Sequence, residues 1–375
     1  LSLDGKNRSS ISIMGTDLRA FIIAEAGVNH NGDLNLAKQL IDVAVDAGAD
    51  AVKFQTFRAE QVVSRHALKA DYQTRTTDET ESQFEMIRKL ELSETDHGTL
   101  IAHAQARGIA FLSTPFDVPS LHLLTKRFGL QMVKIPSGEI TNAPFLLAIA
   151  RAAQQLILST GMSTLAEVEA ALGVLAFGFT SHATVTPQRG DFEKAFASES
   201  GQQTLRDRVT ILHCTTEYPA PINEVNLRAM DNLAAAFGLP VGYSDHTLGI
   251  HVSLAAVARG ARVIEKHFTM DRSLRGPDHK ASLEPDELRQ LVRQIREIEQ
   301  ALGDGIKRPT ASEWKNRDAA RKSLMAAKAI KAGEMFTEEN LTCKRPGTGV
   351  SPSSYWLILG QTAPRSYVAD EALDG

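Results

Sequence analysis

Cysteine is scarce: two in 375 residues, Cys214 and Cys343, too few for a disulfide framework or a closed zinc site. Cys214 sits inside an apolar run, where it reads as a small buried side chain rather than a nucleophile. Long apolar stretches are missing as well. Every hydrophobic run is strand-sized and broken by charge, far short of the roughly 20 residues of a membrane helix, and the first residues show no signal-peptide core. The expectation is a cytoplasmic protein with no membrane contact. Charge of one sign is not in excess: 41 basic and 45 acidic residues leave a net −4. Their interspersion excludes the electrostatic footprint of a nucleic-acid binder. No Walker loop and no GxGxxG is present, so no nucleotide or other organic cofactor is expected. A small-molecule substrate remains.

What is present is a repeat. Eight apolar runs, separated by helix-like segments, each close on polar and mostly chargeable residues. In order they end on Glu25 (FIIAEAG), Lys53 and Gln55 (AVKFQT), Ser113 and Thr114 (AFLSTPF), Lys134, Ser137 and Glu139 (MVKIPSGE), Ser159 and Thr160 (LILSTGM), His213 to Tyr218 (ILHCTTEY), Ser244 to His246 (VGYSDHT), and Glu265 to His267 (VIEKHF). Alternation of strand and helix with short connections implies parallel strands. Eight such units predict an α/β fold, a (β/α)8 TIM barrel whose strand ends open on one face, so that these residues share one pocket. A first helix over 35–47 carries Leu36, Leu40, Ile41, Ala44 and Val45 on one stripe, with Gly48 behind it. A last barrel helix over 286–302 carries Leu288, Leu291, Val292, Ile295 and Ile298 after Pro285.

The expected organisation is a lead-in over 1–19, a barrel over 20–306, a linker over 307–320 and a small β-rich domain over 321–375, where short β runs alternate with AGE and RPGTG turns. The polar stretch 177–208 interrupts the rhythm before the sixth strand. It falls on the face opposite the pocket, where a structural or oligomeric role, or local disorder, is expected rather than chemistry.

His246 and His267 close neighbouring strands, about 4.8 Å apart in a parallel sheet. At matched height they can share one divalent metal, with water and substrate oxygens completing the shell. The alternative is two hydrogen-bonded barrel histidines. Strand alternation turns Glu265 and His267, like Ser244 and His246, to one face, and Asp245 and Lys266 to the other. Lys53, Lys134, Thr114, Ser137, Ser159 and Ser244 supply ammonium groups and hydroxyls for a phosphate or carboxylate. The lysines could instead pair with Glu25 or Glu139, but two of them among several hydroxyls need more negative charge than the protein obviously provides. Glu25 and Glu139 are candidates for acid–base work, Asp278 for binding hydroxyls, Tyr218 for a pocket wall, and Asn29 and His30 for shaping the substrate end.

The strings AEAGVNHNG, VKFQTF, STPFD, KIPSGEI, LSTGM, LHCTTEYPAP, YSDHTLG, EKHFT, GPDHKASLEP and CKRPGTG, in this order, together resemble the N-acetylneuraminate synthase family, which includes the legionaminate and pseudaminate branches, and the resemblance covers about residues 21–373. The resemblance implies a TIM barrel followed by an antifreeze-like (SAF, β-clip) domain, a domain-swapped homodimer, and condensation of phosphoenolpyruvate (PEP) with a 2-acetamido mannose-type sugar. By the same resemblance His246 and His267 match ligands of Mn²⁺, with Mg²⁺ or Co²⁺ as alternatives. Lys53, Thr114, Lys134, Ser137, Ser159 and Ser244 match positions around PEP. Glu25, Gln55, Glu139, Tyr218 and Asp278 match positions around the sugar, Thr216 lies near its N-acyl side, and Arg345 looks like the arginine inserted into the partner's pocket. KADYQTRTTDETESQ, HCTTEYPAP and NEVNL look most like the legionaminate branch. Three other readings stay open: a lysine Schiff-base aldolase acting through Lys134, a related 3-deoxy-aldulosonate synthase, and a non-catalytic sugar-binding protein.

Overall fold

The computed structural model describes residues 19–78 and 80–374. Most of the expected lead-in lies outside them. Two compact units divide the chain, one ending at Gly303 and the other starting at Asp304.

In the first unit the strands β1 (Phe21–Gly27), β2 (Ala51–Thr56), β3 (Ala110–Pro115), β4 (Met132–Ile135), β5 (Gln155–Ser159), β6 (Val209–Cys214), β7 (Val241–Asp245) and β8 (Val263–His267) form one parallel sheet. Its order is β3-β2-β1-β8-β7-β6-β5-β4, and the outermost two lie against each other, so the sheet returns on itself as a barrel. The boundaries fall where apolar runs meet their polar ends, as expected of strands buried on both faces.

Period-two alternation builds the interior in layers. Ile23, Ala51, Leu112, Met132, Ile157, Leu212 and Val263 pack together as an apolar plug inside the sheet. Two residues further along the same strands stand Glu25, Lys53, Thr114, Lys134, Ser159, Cys214 and Glu265. The plug is therefore the floor of a polar layer. Ile22, Ala24, Val52, Phe54, Tyr243 and Ile264, at the intervening positions, face the helices and join the larger core.

The helix Leu34–Ala47 is capped by Asp33, whose side chain accepts from the backbone of Asn35 and Leu36. It buries Ala37, Leu40, Ile41, Ala44 and Ala47, while Leu36 and Val45 are only half-buried. The helix Pro285–Leu302 buries Leu288, Leu291, Val292 and Ile295. The stretch 177–208, for which a structural or oligomeric role or local disorder was expected, carries regular helices. After the helix Leu165–Thr180 come two more, Asp191–Ala197 and Glu199–Arg208, both packed on it, the first through an edge-to-face pair of Phe177 and Phe192 at 5.5 Å.

The second unit has its own core of Leu324, Ala326, Ile330, Phe336, Leu341, Ala363, Tyr367 and Leu373. Its regular sheet is one antiparallel pair, β9 (Ser323–Ala326) with β10 (Leu341–Lys344), supplemented by isolated bridges such as Ile330 to Tyr367. The expected linker is helical over Ala311–Ala320. Thr310 and Glu313 cap that helix reciprocally; with Trp314 as its one large apolar side chain, it shows no apolar stripe to read.

Candidate active site

The polar layer opens into a cavity of about 640 Å³. At its floor a chain of charges runs across four strands. Lys53 Nζ lies 2.6 Å from Glu25 Oε2 and 3.5 Å from Glu265 Oε2, and donates to Thr114 Oγ1 at 2.9 Å. Lys134 Nζ donates to Glu265 Oε1 at 3.1 Å, and Ser244 Oγ donates to the same oxygen at 2.8 Å. All of these side chains are buried.

Burial sets the electrostatics, and neighbours then decide each case. It raises Glu25 above the usual carboxylate range, with Lys53 opposing. Burial would raise Glu265 too, but Lys134, Lys53 and the Ser244 hydroxyl hold it well below that range. For Lys53, Glu25 and Glu265 outweigh burial, so its ammonium is held more firmly than in water. Asp278, at the cavity edge, is pushed up by burial to about 7, with Lys53 opposing.

His246 and His267 stand with ring centroids 5.6 Å apart. His246 Nδ1 lies 2.6 Å from the Thr215 carbonyl, an acceptor, so Nδ1 carries the proton and Nε2 keeps its lone pair. His267 Nδ1 is buried without a hydrogen-bond partner and lies 3.8 Å from Asp278 Oδ2. Burial lowers His246 to about 4; burial, then His246 itself, lowers His267 well below its ordinary value. Neutral imidazoles with an orphaned nitrogen suit metal ligation. Among the described residues no third His, Cys, Asp or Glu joins them in a metal-holding cluster, so water and substrate oxygens would have to complete a shell.

The ring of Tyr218 packs 4.1 Å from that of His246 and forms a wall. Ser159 Oγ and Thr216 Oγ1 are buried, line the cavity and have no hydrogen-bond partner. Ser137 Oγ accepts from the backbone N–H of Gly161 at 2.9 Å. A Cβ at Gly161 would sit 2.2 Å from Thr216 Oγ1 and 2.8 Å from Ser137 Oγ, so only glycine lets these hydroxyls approach. Opposite them, Val28, Phe57 and Leu90 pack with Val62, Ile87 and Phe116 as an apolar wall.

The cavity thus brings together Glu25, Lys53, Gln55, Thr114, Lys134, Ser137, Ser159, Thr216, Tyr218, Ser244, His246, His267 and Asp278. Glu139 is not among its lining residues. It ends the turn Ser137–Glu139, where the strand alternation has stopped, and its carboxylate accepts from Asn142 Nδ2 at 2.7 Å. Asn29 and His30 are buried behind the lining: Asn29 Nδ2 donates to the Phe268 carbonyl and Ser282 Oγ, tying the loop after β1 to that after β8. Arg345 is exposed in the second unit, directly after β10. The lysines do not lack counter-charge as the sequence suggested, because Glu265 faces both. In the sequence Glu265 shows only that it shares a face with His267; in the structure it lies two residues beyond the plug residue Val263 and in register with Ser244.

The NeuB family profile matches residues 40–307, and the SAF domain profile residues 321–374. The chain belongs to the NeuB family. It is similar to the N,N′-diacetyllegionaminic acid synthase of Campylobacter jejuni, with 55% identity over 95% of this chain and 99% of that one. The enzyme of the same name from Legionella pneumophila is 47% identical over 95% of this chain and 94% of its own length. Among solved structures, the N-acetylneuraminic acid synthetase of Leptospira borgpetersenii, in complex with citrate, matches with a TM-score of 0.63 and 36% identity, covering 80% of this chain and 90% of that one. This NeuB chain is accordingly a barrel joined to a SAF domain, and an enzyme of a synthase family.

Proposed function

We propose that this chain condenses PEP with the open-chain form of a 2-acetamido mannose-type sugar, giving a nine-carbon 2-keto acid of the neuraminate–legionaminate class and inorganic phosphate. The observation that carries the reading is the convergence of two neutral imidazoles, two ammonium groups and unpartnered hydroxyls on one cavity. The 55% identity to an N,N′-diacetyllegionaminic acid synthase favours a diacetamido sugar, and the apolar wall of Val28, Phe57 and Leu90 offers contact for its methyl groups.

Lys53 and Lys134, with Thr114, Ser137, Ser159 and Ser244, hold the phosphate and carboxylate of PEP. Gln55, Tyr218, Thr216 and Asp278 orient the sugar so that its C1 aldehyde faces C3 of PEP. C3 attacks C1, water adds to C2, and one proton of that water ends on the C1 oxygen as a hydroxyl; the C2–O bond to phosphate then breaks as the C2 hydroxyl becomes the keto group and its proton leaves with the phosphate. Glu25, inside the cavity, takes the proton of that water; Glu139, held by Asn142 outside the lining, is the weaker candidate. His246 and His267 would hold a divalent cation, Mn²⁺ ahead of Mg²⁺ or Co²⁺, whose chemistry there is polarisation of the aldehyde carbonyl. In this reading the working form is a domain-swapped homodimer, with Arg345 of one chain contacting the sugar in the other. It works in the cytoplasm, where PEP is made; no described helix is long and apolar enough to cross a membrane.

The Schiff-base alternative is disfavoured because Lys134 is ion-paired with Glu265, whereas a nucleophilic amine must be free of its extra proton. A phosphate-release assay with PEP decides the reading. Release with 2,4-diacetamido-6-deoxymannose at a higher kcat/KM than with N-acetylmannosamine is the expected result. No release with either sugar, or ¹⁸O of the PEP bridge retained in the keto acid, would overturn it.

A further inference from the structure

Glu265 is the group in the cavity whose contacts the proposed reaction leaves unexplained. It is buried, and it faces both lysines: Oε1 takes Lys134 at 3.1 Å and Ser244 at 2.8 Å, while Oε2 faces Lys53 at 3.5 Å. Ser244 Oγ in turn lies 3.4 Å from His246 Nε2. One carboxylate therefore ties together groups from β2, β4, β7 and β8. Two buried ammonium groups left to themselves would repel, and an unpaired buried charge is strongly unfavourable.

We infer that Glu265 is a positioning residue: its two oxygens set the spacing of the Lys53 and Lys134 ammonium groups for the enol phosphate and moderate their charge enough for product phosphate to leave. The inference rests on the reading of PEP as substrate. Strand geometry supports the fixed spacing, because Val263 packs into the apolar plug directly below Glu265 and Ser244 is its register partner. The plug anchors the strand beneath Glu265, and the Ser244 bond holds its carboxylate. Removing its charge while keeping its shape should have two opposite effects. The cavity becomes more positive, so anions bind more tightly; the lysines lose their common anchor, so turnover falls.

The test is calorimetric titration of the metal-loaded enzyme with inorganic phosphate, alongside kcat and KM for PEP, for wild type, Glu265→Gln and Glu265→Asp. Glu265→Gln is expected to bind phosphate at least about tenfold more tightly while kcat falls about hundredfold. Glu265→Asp keeps the charge, so its phosphate affinity should stay near wild type and part of kcat should return. A merely structural role would weaken phosphate binding and turnover together. That outcome, or a Glu265→Gln enzyme within twofold of wild type in both quantities, would overturn the inference. If Glu265→Gln does not fold, Glu265→Asp alone carries the test: phosphate affinity near wild type with a lowered kcat is expected, and unchanged turnover there would count against the anchor. Should wild type release no phosphate from PEP, the substrate reading fails, while the phosphate titration still reads the lysine–carboxylate arrangement on its own.

Discussion

The two candidate bases differ in whether the strand still alternates where they stand. Glu25 lies on β1 two residues above Ile23, whereas Glu139 lies past the end of β4 and bonds to Asn142. Proton transfer by a positioned group contributes about 10²–10⁴-fold. Glu25→Gln is therefore expected to lower kcat by at least about hundredfold, and Glu139→Gln by less than about tenfold; steady-state phosphate release at saturating PEP compares them. His267→Ala removes one of two imidazoles, and Mn²⁺ titration should show its affinity falling by at least about tenfold, the scale on which even supporting partners of a ligand act. Wild-type affinity in that variant would remove His267 from any metal site. Most lining residues were legible because they sit on short apolar runs whose polar ends stand out. Glu265 was not, because its partners Lys53 and Lys134 lie on strands far away in the sequence, and a carboxylate shared by two lysines shows only once the barrel brings those strands together.

Helices were legible where one face is apolar and invisible where none is. The stripe of the helix Leu34–Ala47 was read nearly in place, with Ala37 and Ala47 buried where Leu36 and Val45 were expected to be. Small side chains suit close approach to a sheet, and counting large apolar residues passes over them. The helix Ala311–Ala320 buries nothing, so only its Thr310–Glu313 cap could have revealed it. The two helices within 177–208 depend on close backbone contacts that composition hides. A Cβ at Gly201 would lie 1.9 Å from the Ala195 carbonyl oxygen, a backbone atom that cannot rotate aside. Gly201→Ala should destabilise this layer by about 1–3 kcal/mol, seen as a lower Tm with faster amide exchange in 191–208. Unchanged exchange there would show that the two helices tolerate respacing.

For the whole molecule the consequence is a stability that weakens in acid. His30 and His279 are held by burial down to about 4, and His97 and His213 are lowered for the same reason. Their ordinary value is about 6.5, so between about 6.5 and 4 the unfolded chain takes up protons that the folded one refuses, and stability falls as pH falls through that window. Glu25 and Asp278, raised by burial, act in the opposite sense, but with His246 and His267, which burial lowers as well, six imidazoles stand against them. Calorimetric Tm should decline from pH 7 to pH 4.5, and a flat profile would mean that these rings accept protons while folded. The barrel's overall plan was legible because eight strand ends repeat one chemistry. How the alternation is kept in phase was not, and it depends on the outer face. Lys266 and Asp245 pair there at 3.1 Å, fully buried, with Asp245 also accepting from Thr247 and Ser253. A slip of β8 by one residue would turn Glu265 and His267 out toward the helices and Lys266 inward, abandoning a buried ammonium without its carboxylate. That hidden clasp penalises the misthreaded barrel, so the pair that never meets a substrate guards which way the chemistry faces.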